Sequence, residues 1–299
     1  MTGATVALKV DVDTYAGTRE GVPRLLDILD RYGIKATFYL SMGPDNSGKA
    51  IRRIFTRKGF LKKMLRTNAP STYGVKTLLY GTLLPAPKIA ESLSGIMKQV
   101  AREGHEVGVH AWDHVDWHDN LPRMTEVTVT EVLDRAQGKF REVFGRDATT
   151  TAAPGWMVTA RSLSVQDGMG LRYCSDARGE YPFFPIMDGS QFETLQIPTT
   201  LLTMDELLGR EGITESSVND YYVSRIRPGL NVHTIHAEME GMRLAGTFSD
   251  LLRRLVESGV RFSSLGAAAE EALHGSPPAC RLAMEEISGR AGLVAVQKV

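Results

Sequence analysis

Two histidines and two aspartates in this sequence have the types and the spacing of a metal site. The stretch VHAWDHVDWH holds His110 and His114 four residues apart, and LKVDVDTY holds Asp11 and Asp13. Two imidazoles and one carboxylate are a common ligand set for a divalent metal that leaves coordination positions open for water. Each pair alone has a plainer interpretation, as structural histidines or as a solvated strand end. Together they favour a metal site.

The residues around the aspartates predict a strand that ends in a pair of carboxylates. In TVALKVDVD the apolar side chains alternate with the others, which places Lys9, Asp11 and Asp13 on one face. Two adjacent carboxylates repel each other, so a positive group should lie beside them. We expect this group to be a bound cation or Lys9.

The same alternation orients the histidines. The strand EVGVH directs His110 to the inner side, and one turn of chain then brings His114 beside it. Asp13, His110 and His114 can therefore form one metal-binding set. In NVHTIHAEME the alternation turns His236 inward as well. A histidine at such a site but outside the ligand set is suited to general-acid catalysis.

Strand-like runs and helical stretches alternate along the whole chain. Seven to eight strands interleaved with helices predict a parallel sheet, and over this length they favour an α/β fold of the (β/α)-barrel type in a single domain. Active sites of such barrels lie at the carboxyl ends of the strands. We expect this domain to span residues 1–270, followed by a peripheral tail with one short helix over residues 271–299.

Composition excludes several classes of protein. The 299 residues carry 35 Lys and Arg against 35 Asp and Glu, so the chain lacks the overall positive field of a nucleic-acid binder. Its two cysteines, Cys174 and Cys280, offer neither a thiolate metal site nor a disulfide framework. The N-terminus reads as a strand and not as a signal peptide, and no apolar run is long enough to span a bilayer. We therefore expect a cytoplasmic protein.

One segment departs from the neutral balance of charge. No acidic residue lies between Asp45 and Glu91, and apolar residues at helical spacing accompany the cations there. This pattern is typical of a helix on an anionic membrane surface, although a solvated helix packed on the barrel has it too. We predict that residues 45–90 form a basic amphipathic insertion at the membrane interface. The candidate lipid contacts are Arg52, Arg53, Phe55, Arg57, Lys58, Phe60, Lys62, Lys63 and Arg66.

The acid pair, the H-x-x-x-H motif and the late histidine together resemble the polysaccharide deacetylase family, also called the NodB-homology family. This resemblance implies a deformed (β/α) barrel that uses one divalent metal ion to hydrolyse amides on sugars. It implies that Asp11 is the general base and His236 the general acid. The implied metal ligands are Asp13, His110 and His114. Such a site accepts Zn, Mn, Co, Fe or Ni, so the residues leave the identity of the metal open.

One feature of the family is missing. Where the family has an arginine before a proline, this chain reads TTAAPGW. The arginine that restrains the base is therefore absent, and Arg178 in CSDARGE is the candidate replacement. On the same resemblance Asp176 is expected to steer His236.

Further stretches narrow the resemblance to one branch of the family. They are VDVDTYAGTREGVPRLL, GPDNSGK, FLKKMLRTNAPSTYG, HAWDH, YCSDARG and TIHAEMEG. This branch implies a polyprenyl-phosphate-linked substrate, undecaprenyl-phosphate 4-deoxy-4-formamido-L-arabinose, from which a formyl group is removed. It also implies action on the inner face of the plasma membrane, in the lipid A modification that gives polymyxin resistance.

Three other interpretations stay open. The stretch DVDTY resembles the D-x-D-x-T motif of aspartyl-phosphate phosphatases, but Tyr15 stands where threonine or valine belongs, and the histidines would have no role. A deacetylase of another N-acylated sugar would keep the fold and change the acyl group. A non-catalytic module that binds carbohydrate-lipid would keep the fold and release no acid.

Overall fold

The computed structural model describes residues 3–52 and 76–299. Within these ranges, seven parallel strands form one curled sheet. They are β1 (Ala4–Val12), β2 (Thr37–Ser41), β3 (Glu106–Ala111), β4 (Thr150–Thr151), β5 (Tyr173–Cys174), β8 (Gly229–His236) and β9 (Arg261–Ser263). Their order in the sheet is β5-β4-β3-β2-β1-β8, and β9 pairs with the beginning of β1. The predicted α/β fold with seven to eight parallel strands is confirmed.

Helices connect the strands and cover the outer face of the sheet. Numbered over the described residues, they are α1 (Val22–Arg31), α2 (Ile89–Arg102), α3 (His114–Asn120), α4 (Glu126–Phe144), α5 (Ala160–Gly168), α6 (Met204–Leu207), α7 (Val218–Arg225), α8 (Ala245–Glu257) and α9 (Leu265–His274). The amphipathic pattern of α1 explains its position, because Leu25, Leu26 and Leu29 are buried in the main core. None of the described helices is both long and apolar enough to cross a bilayer.

The barrel is closed by an extended segment and not by a further strand. The stretch ETLQIP makes only isolated bridges to its neighbours. Ile197 donates to the carbonyl of Cys174 at the edge strand β5, at 2.8 Å, and Thr200 donates to the carbonyl of Val232 in the opposite edge strand β8, at 3.1 Å. This segment therefore bridges the two edges of the curled sheet, in agreement with the deformed barrel that the family resemblance implied.

The last residues of the chain form strands where a short helix was expected. Strands β10 (Ala279–Glu286) and β11 (Leu293–Lys298) pair antiparallel and extend a second sheet that contains β6 (Phe184–Met187) and β7 (Ser190–Gln191). The helix prediction was wrong because Cys280 and Leu282 are buried while Arg281 between them is exposed, which is the period of a strand.

Half of the predicted membrane insertion, residues 53–75, falls outside the described residues. Arg52 ends a short 3-10 turn that begins at Ser47. The other candidate lipid contacts lie in residues 53–75, which the structure does not describe: Arg53, Phe55, Arg57, Lys58, Phe60, Lys62, Lys63 and Arg66.

Candidate active site

The structure brings the three predicted metal ligands together at the carboxyl ends of the strands. Asp13 follows β1, His110 lies near the end of β3, and His114 is the first residue of α3. His110 Nε2 lies 3.1 Å from Asp13 Oδ1, and His114 Nε2 lies 3.4 Å from Asp13 Oδ2. One ligand atom from each residue lies within 4.8 Å of the other two. The site is thus assembled from positions about a hundred residues apart.

Local structure explains how His114 reaches this position. Asp113 is the N-cap of α3, and its Oδ1 accepts hydrogen bonds from the backbone N–H groups of Val115 at 3.1 Å and Asp116 at 3.0 Å. The helix therefore begins directly after the strand, and its first side chain turns towards Asp13. Asp113 caps the helix, and Asp116 Oδ1 accepts a hydrogen bond from the side-chain amide of Asn120 at 2.7 Å, so neither of these acids belongs to the candidate ligand set.

The donor set fits a divalent metal ion. Atoms that bind one zinc ion at roughly 2.0–2.2 Å lie about 3 to 4 Å from one another, which is close to the separations between Asp13 and the two imidazoles. The side chains of Asp13 and His114 keep 17% and 20% of their surface exposed, so solvent or a substrate can approach from one side. A site with three protein ligands and an open side is typical of catalytic metal centres.

Opposite charges balance each other inside this set. Burial would raise the pKa of Asp13, but the fields of His114 and His110 outweigh it and hold that pKa well below its usual range. Burial would lower the pKa of His110, but the carboxylates of Asp11 and Asp13 outweigh it and raise that pKa. Asp13 is therefore ionised at neutral pH, as a ligand for a cation must be.

Lys9 is the cation beside Asp11, the candidate base. Its ammonium group lies 3.5 Å from Asp11 Oδ2 and donates to the carbonyl oxygen of Ser175 at 2.8 Å, across the barrel from β1. It also lies over the rings of Trp156 and Tyr39, and its burial lowers its pKa. Asp11 Oδ1 is buried and has no hydrogen-bond partner among the described residues. One carboxylate oxygen is therefore restrained by Lys9 and the other is available to accept a proton.

Arg178 does not restrain Asp11, so that expectation was wrong. Arg178 Nη1 donates to both carboxylate oxygens of Glu206, at 2.9 and 3.0 Å, and Nη2 donates to the carbonyl of Leu201 at 2.9 Å. Glu206 is completely buried near the start of α6 and needs a cationic partner there. Lys9 instead lies beside Asp11, where the family arginine was expected to act.

Asp176 does not contact His236, so the expected steering role was also wrong. Its carboxylate accepts hydrogen bonds from the backbone of Ala153 at 2.6 Å and from the side chains of Gln166 at 2.9 Å and Gln196 at 3.3 Å. Burial raises the pKa of Asp176. Asp176 therefore holds the turn after β4 in place and does not act on the acid.

His236 lies in register with Asp11 on the neighbouring strand β8, so both side chains project from the same face of the sheet. Its backbone N–H donates to Glu240 Oε2 at 2.8 Å. Glu240 is buried, and this burial raises its pKa to about 7. The general-acid candidate is therefore anchored through its main chain by a carboxylate further along the chain.

Sequence reasoning missed two neighbours of the site. Glu238 shared the predicted inward face of His236 but was given no role, and its Oε1 accepts hydrogen bonds from the backbone of Asp13 and Thr14. His118 is buried, with its ring 6.2 Å from that of His114. The signal for His118 was its position one helical turn after His114.

Comparison with known proteins identifies the class to which this arrangement belongs. The profile of the polysaccharide deacetylases matches residues 1–174. The chain belongs to the polysaccharide deacetylase family, as its resemblance to that family predicted.

Individual relatives agree with this assignment. A protein of Shewanella sediminis (strain HAW-EB3), named a probable 4-deoxy-4-formamido-L-arabinose-phosphoundecaprenol deformylase ArnD, is 42% identical over 258 residues, which cover 86% of this chain and 83% of that protein. A protein of Wigglesworthia glossinidia brevipalpis with the same name is 32% identical over 94% of this chain and 98% of its own length. A crystal structure from Mycobacterium smegmatis, assigned as a polysaccharide deacetylase, has the same fold with a TM-score of 0.65 and 18% identity, over 95% of this chain and 96% of that one.

Proposed function

We propose that this protein is a metal-dependent amide hydrolase that removes the formyl group from undecaprenyl-phosphate-linked 4-deoxy-4-formamido-L-arabinose. The products are formate and the free amino-sugar lipid. The observation that carries the chemistry is the cluster of Asp13, His110 and His114, with the open oxygen of Asp11 beside it. The substrate follows from the two deformylase-named relatives, which align with most of the chain.

Asp13, His110 and His114 would hold one divalent metal ion, and this donor set accepts Zn, Mn, Co, Fe or Ni. When bound, such an ion supplies Lewis-acid polarisation of the amide carbonyl and lowers the pKa of water in its coordination sphere. The three side chains leave one side of the site exposed for the substrate.

The two proton transfers fall to groups outside the ligand set. Asp11 Oδ1 accepts a proton from the attacking water, while Lys9 holds the other oxygen of the same carboxylate. His236, on the adjacent strand and in register with Asp11, donates a proton to the departing sugar nitrogen. Base and acid thus act from neighbouring strands, on the two sides of the cleaved amide bond.

We further propose that the enzyme acts at the inner face of the plasma membrane, on its lipid-linked substrate. The acid-free segment between Asp45 and Glu91 supports this location, because its cations would face anionic headgroups at about 1 kcal/mol each. In the described part of this segment, Leu83 is 81% exposed, as expected of a side chain that enters lipid. The reaction would belong to the modification of lipid A with aminoarabinose.

Release of the acid product tests this function. Metal-loaded protein is incubated separately with the formamido lipid and with its acetamido analogue, and formate and acetate are quantified. We expect formate from the first lipid and far less acetate from the second. Acetate without formate would establish the deacetylase alternative, and release of neither acid would establish the binding-module alternative. The Asp11→Asn variant is the matched blank.

A further inference from the structure

Two carboxylates that follow strand β8 each bind the backbone of a site residue. Glu238 reaches the turn after β1 that carries Asp13, and Glu240 reaches back to His236. Both acids are almost completely buried, at 1% and 0% exposure. They lie two residues apart in the stretch HAEME, at the point where β8 ends and a π-helical turn begins (Met239–Arg243).

Glu238 makes three hydrogen bonds to the turn after β1. Its Oε1 accepts from the backbone N–H of Asp13 at 3.0 Å, from the backbone N–H of Thr14 at 2.8 Å and from the hydroxyl of Thr14 at 2.8 Å. Thr14 Oγ1 in turn accepts from the backbone N–H of Gly17 at 2.9 Å. One oxygen atom thus determines where the backbone of Asp13 lies.

The turn after β1 and the turn after β8 are closely packed against each other. A Cβ atom at Gly17 would overlap the carboxylate of Glu238, and one at Gly21 would overlap the carbonyl oxygen of Ala237. A Cβ atom at Gly241 would lie 2.6 Å from the carbonyl oxygen of Gly21. The glycines therefore let the turn after β1 and the turn after β8 touch backbone to backbone.

The two acids are not members of the ion pairs formed by the described residues. Among the ion pairs of the described residues, none joins Glu238 or Glu240 to a lysine or an arginine. Glu238 Oε2 and Glu240 Oε1 are buried and lack hydrogen-bond partners within the same part of the chain. Burial of such groups lowers the free energy of unfolding. The interactions that these two acids do make are hydrogen bonds with the backbone of site residues.

We propose that Glu238 and Glu240 are positioning residues that form a clamp. Glu238 determines the position of the proposed metal ligand Asp13, and Glu240 determines the position of the proposed acid His236. The clamp deepens the proposed function, on which it rests for the roles of Asp13 and His236. It links strands β1 and β8 at the level of the reaction, so that ligand and acid keep a constant separation.

The arm formed by Glu238 is tested by metal binding, without any substrate. The metal-free protein is titrated with Zn²⁺ alone by calorimetry. We expect Glu238→Ala and Glu238→Asp to weaken the affinity about 10- to 100-fold, the usual effect of removing a group that orients a ligand. Glu238→Gln should bind nearly as well as the wild type, because its amide oxygen can accept the same N–H groups.

A matched control separates positioning from loss of stability. Glu106 is another carboxylate of the barrel, at the opposite end of β3, where it accepts from Thr37, Tyr173 and Gly266. Glu106→Ala should lower the free energy of unfolding and leave the Zn²⁺ affinity unchanged. Equal affinities for wild type, Glu238→Asp and Glu238→Ala would overturn the Glu238 arm.

The arm formed by Glu240 should have a different signature. Glu240→Leu removes the acceptor for the His236 backbone, so we expect turnover to fall at least 10-fold while the Zn²⁺ affinity stays unchanged. Glu240→Gln should restore most of the turnover. Unchanged turnover in Glu240→Leu would overturn this arm. Absence of formate release from the wild type would count against the proposed function, whereas the Zn²⁺ titrations would still decide the Glu238 arm.

Discussion

The ammonium group of Lys9 lies 3.5 Å from the carboxylate of Asp11, two residues further along the same strand. Because successive side chains of a strand alternate between its faces, residues two apart project to the same side and differ in depth. Lys9 is the deeper of the two and Asp11 the nearer to the site. Asp11, the proposed base, thus has a cation beside it that comes from its own strand.

Lys9→Met should damage both stability and catalysis. Removing one partner of a buried pair leaves an uncompensated charge, which costs about 3 kcal/mol in the free energy of unfolding. Turnover should fall while the Zn²⁺ affinity is retained, because Lys9 is not a ligand. Chemical denaturation and calorimetry measure these quantities. Lys9→Arg is the control and should recover part of both; full turnover in Lys9→Met would contradict the restraining role.

Asp11→Asn and Asp13→Asn should have opposite effects on the metal. Asp11→Asn removes the proton acceptor, so turnover should fall by about 100- to 10,000-fold with the metal still bound. Asp13→Asn should lose most of the metal. Metal content by atomic emission and formate release by enzymatic assay distinguish the two. Loss of metal in Asp11→Asn would mean that the roles are exchanged.

His236→Ala should slow amide cleavage by about 100-fold or more and leave the metal content unchanged, because the lost group donates the proton to the leaving nitrogen. Steady-state rates on the formamido lipid provide the measurement. His274→Ala, at the end of α9, is an exposed control and should behave as the wild type. Near-normal turnover of His236→Ala would remove it from the acid role.

Arg178→Met should act on the fold and not on the base. Glu206 would lose the partner that binds both of its oxygens, so the free energy of unfolding should fall by about 3 kcal/mol. Arg290, whose Nη1 lies 3.5 Å from Glu206 Oε1, would remain. Adding Glu206→Gln removes the carboxylate charge that Arg178 balances and should recover part of the loss. Urea denaturation of both single variants and the double variant gives their coupling energy. Independent, additive effects would show that the interaction between Arg178 and Glu206 does not contribute to the free energy of unfolding.

Acid should destabilise the protein through His233. Burial lowers the pKa of His233 to about 3 from an ordinary 6.5, so the unfolded chain binds a proton that the folded chain excludes. Stability is therefore complete above pH 6.5, and it falls by about 1.4 kcal/mol per pH unit as the pH drops from 6.5 towards 3. His233→Phe keeps the contact with Tyr222 and should reduce this slope in urea titrations between pH 6.5 and 5. An unchanged slope would contradict the assignment.

Alternation along single strands predicted a large part of the site. It placed Asp11, Asp13, His110 and His236 on the inner side, because a strand has only two faces and its carboxyl end in a parallel barrel points to the mouth. The N-cap position of Asp113 also follows from local sequence. These features depend on residues within one strand or one helical turn.

Predictions that required two distant segments were less successful. Arg178 and Asp176 were assigned to Asp11 and His236, but they bind Glu206 and the turn at Ala153 instead. Glu206 binds Arg178, and its buried charge becomes apparent only when α6 packs against the barrel beside Arg178. The strands of the C-terminal tail likewise depend on β6, which offers them an edge with which to pair.

The sequence by itself determined the fold class, the three candidate metal ligands and the side of the sheet on which each candidate group lies, since these follow from period, residue type and chain order. Only the tertiary structure decided which ion pairs form, that Lys9 lies beside Asp11, and that Glu238 and Glu240 accept hydrogen bonds from the backbone of site residues. The physical reason is that a buried charge takes the partner that the packing brings within reach, and that packing depends on the whole chain at once.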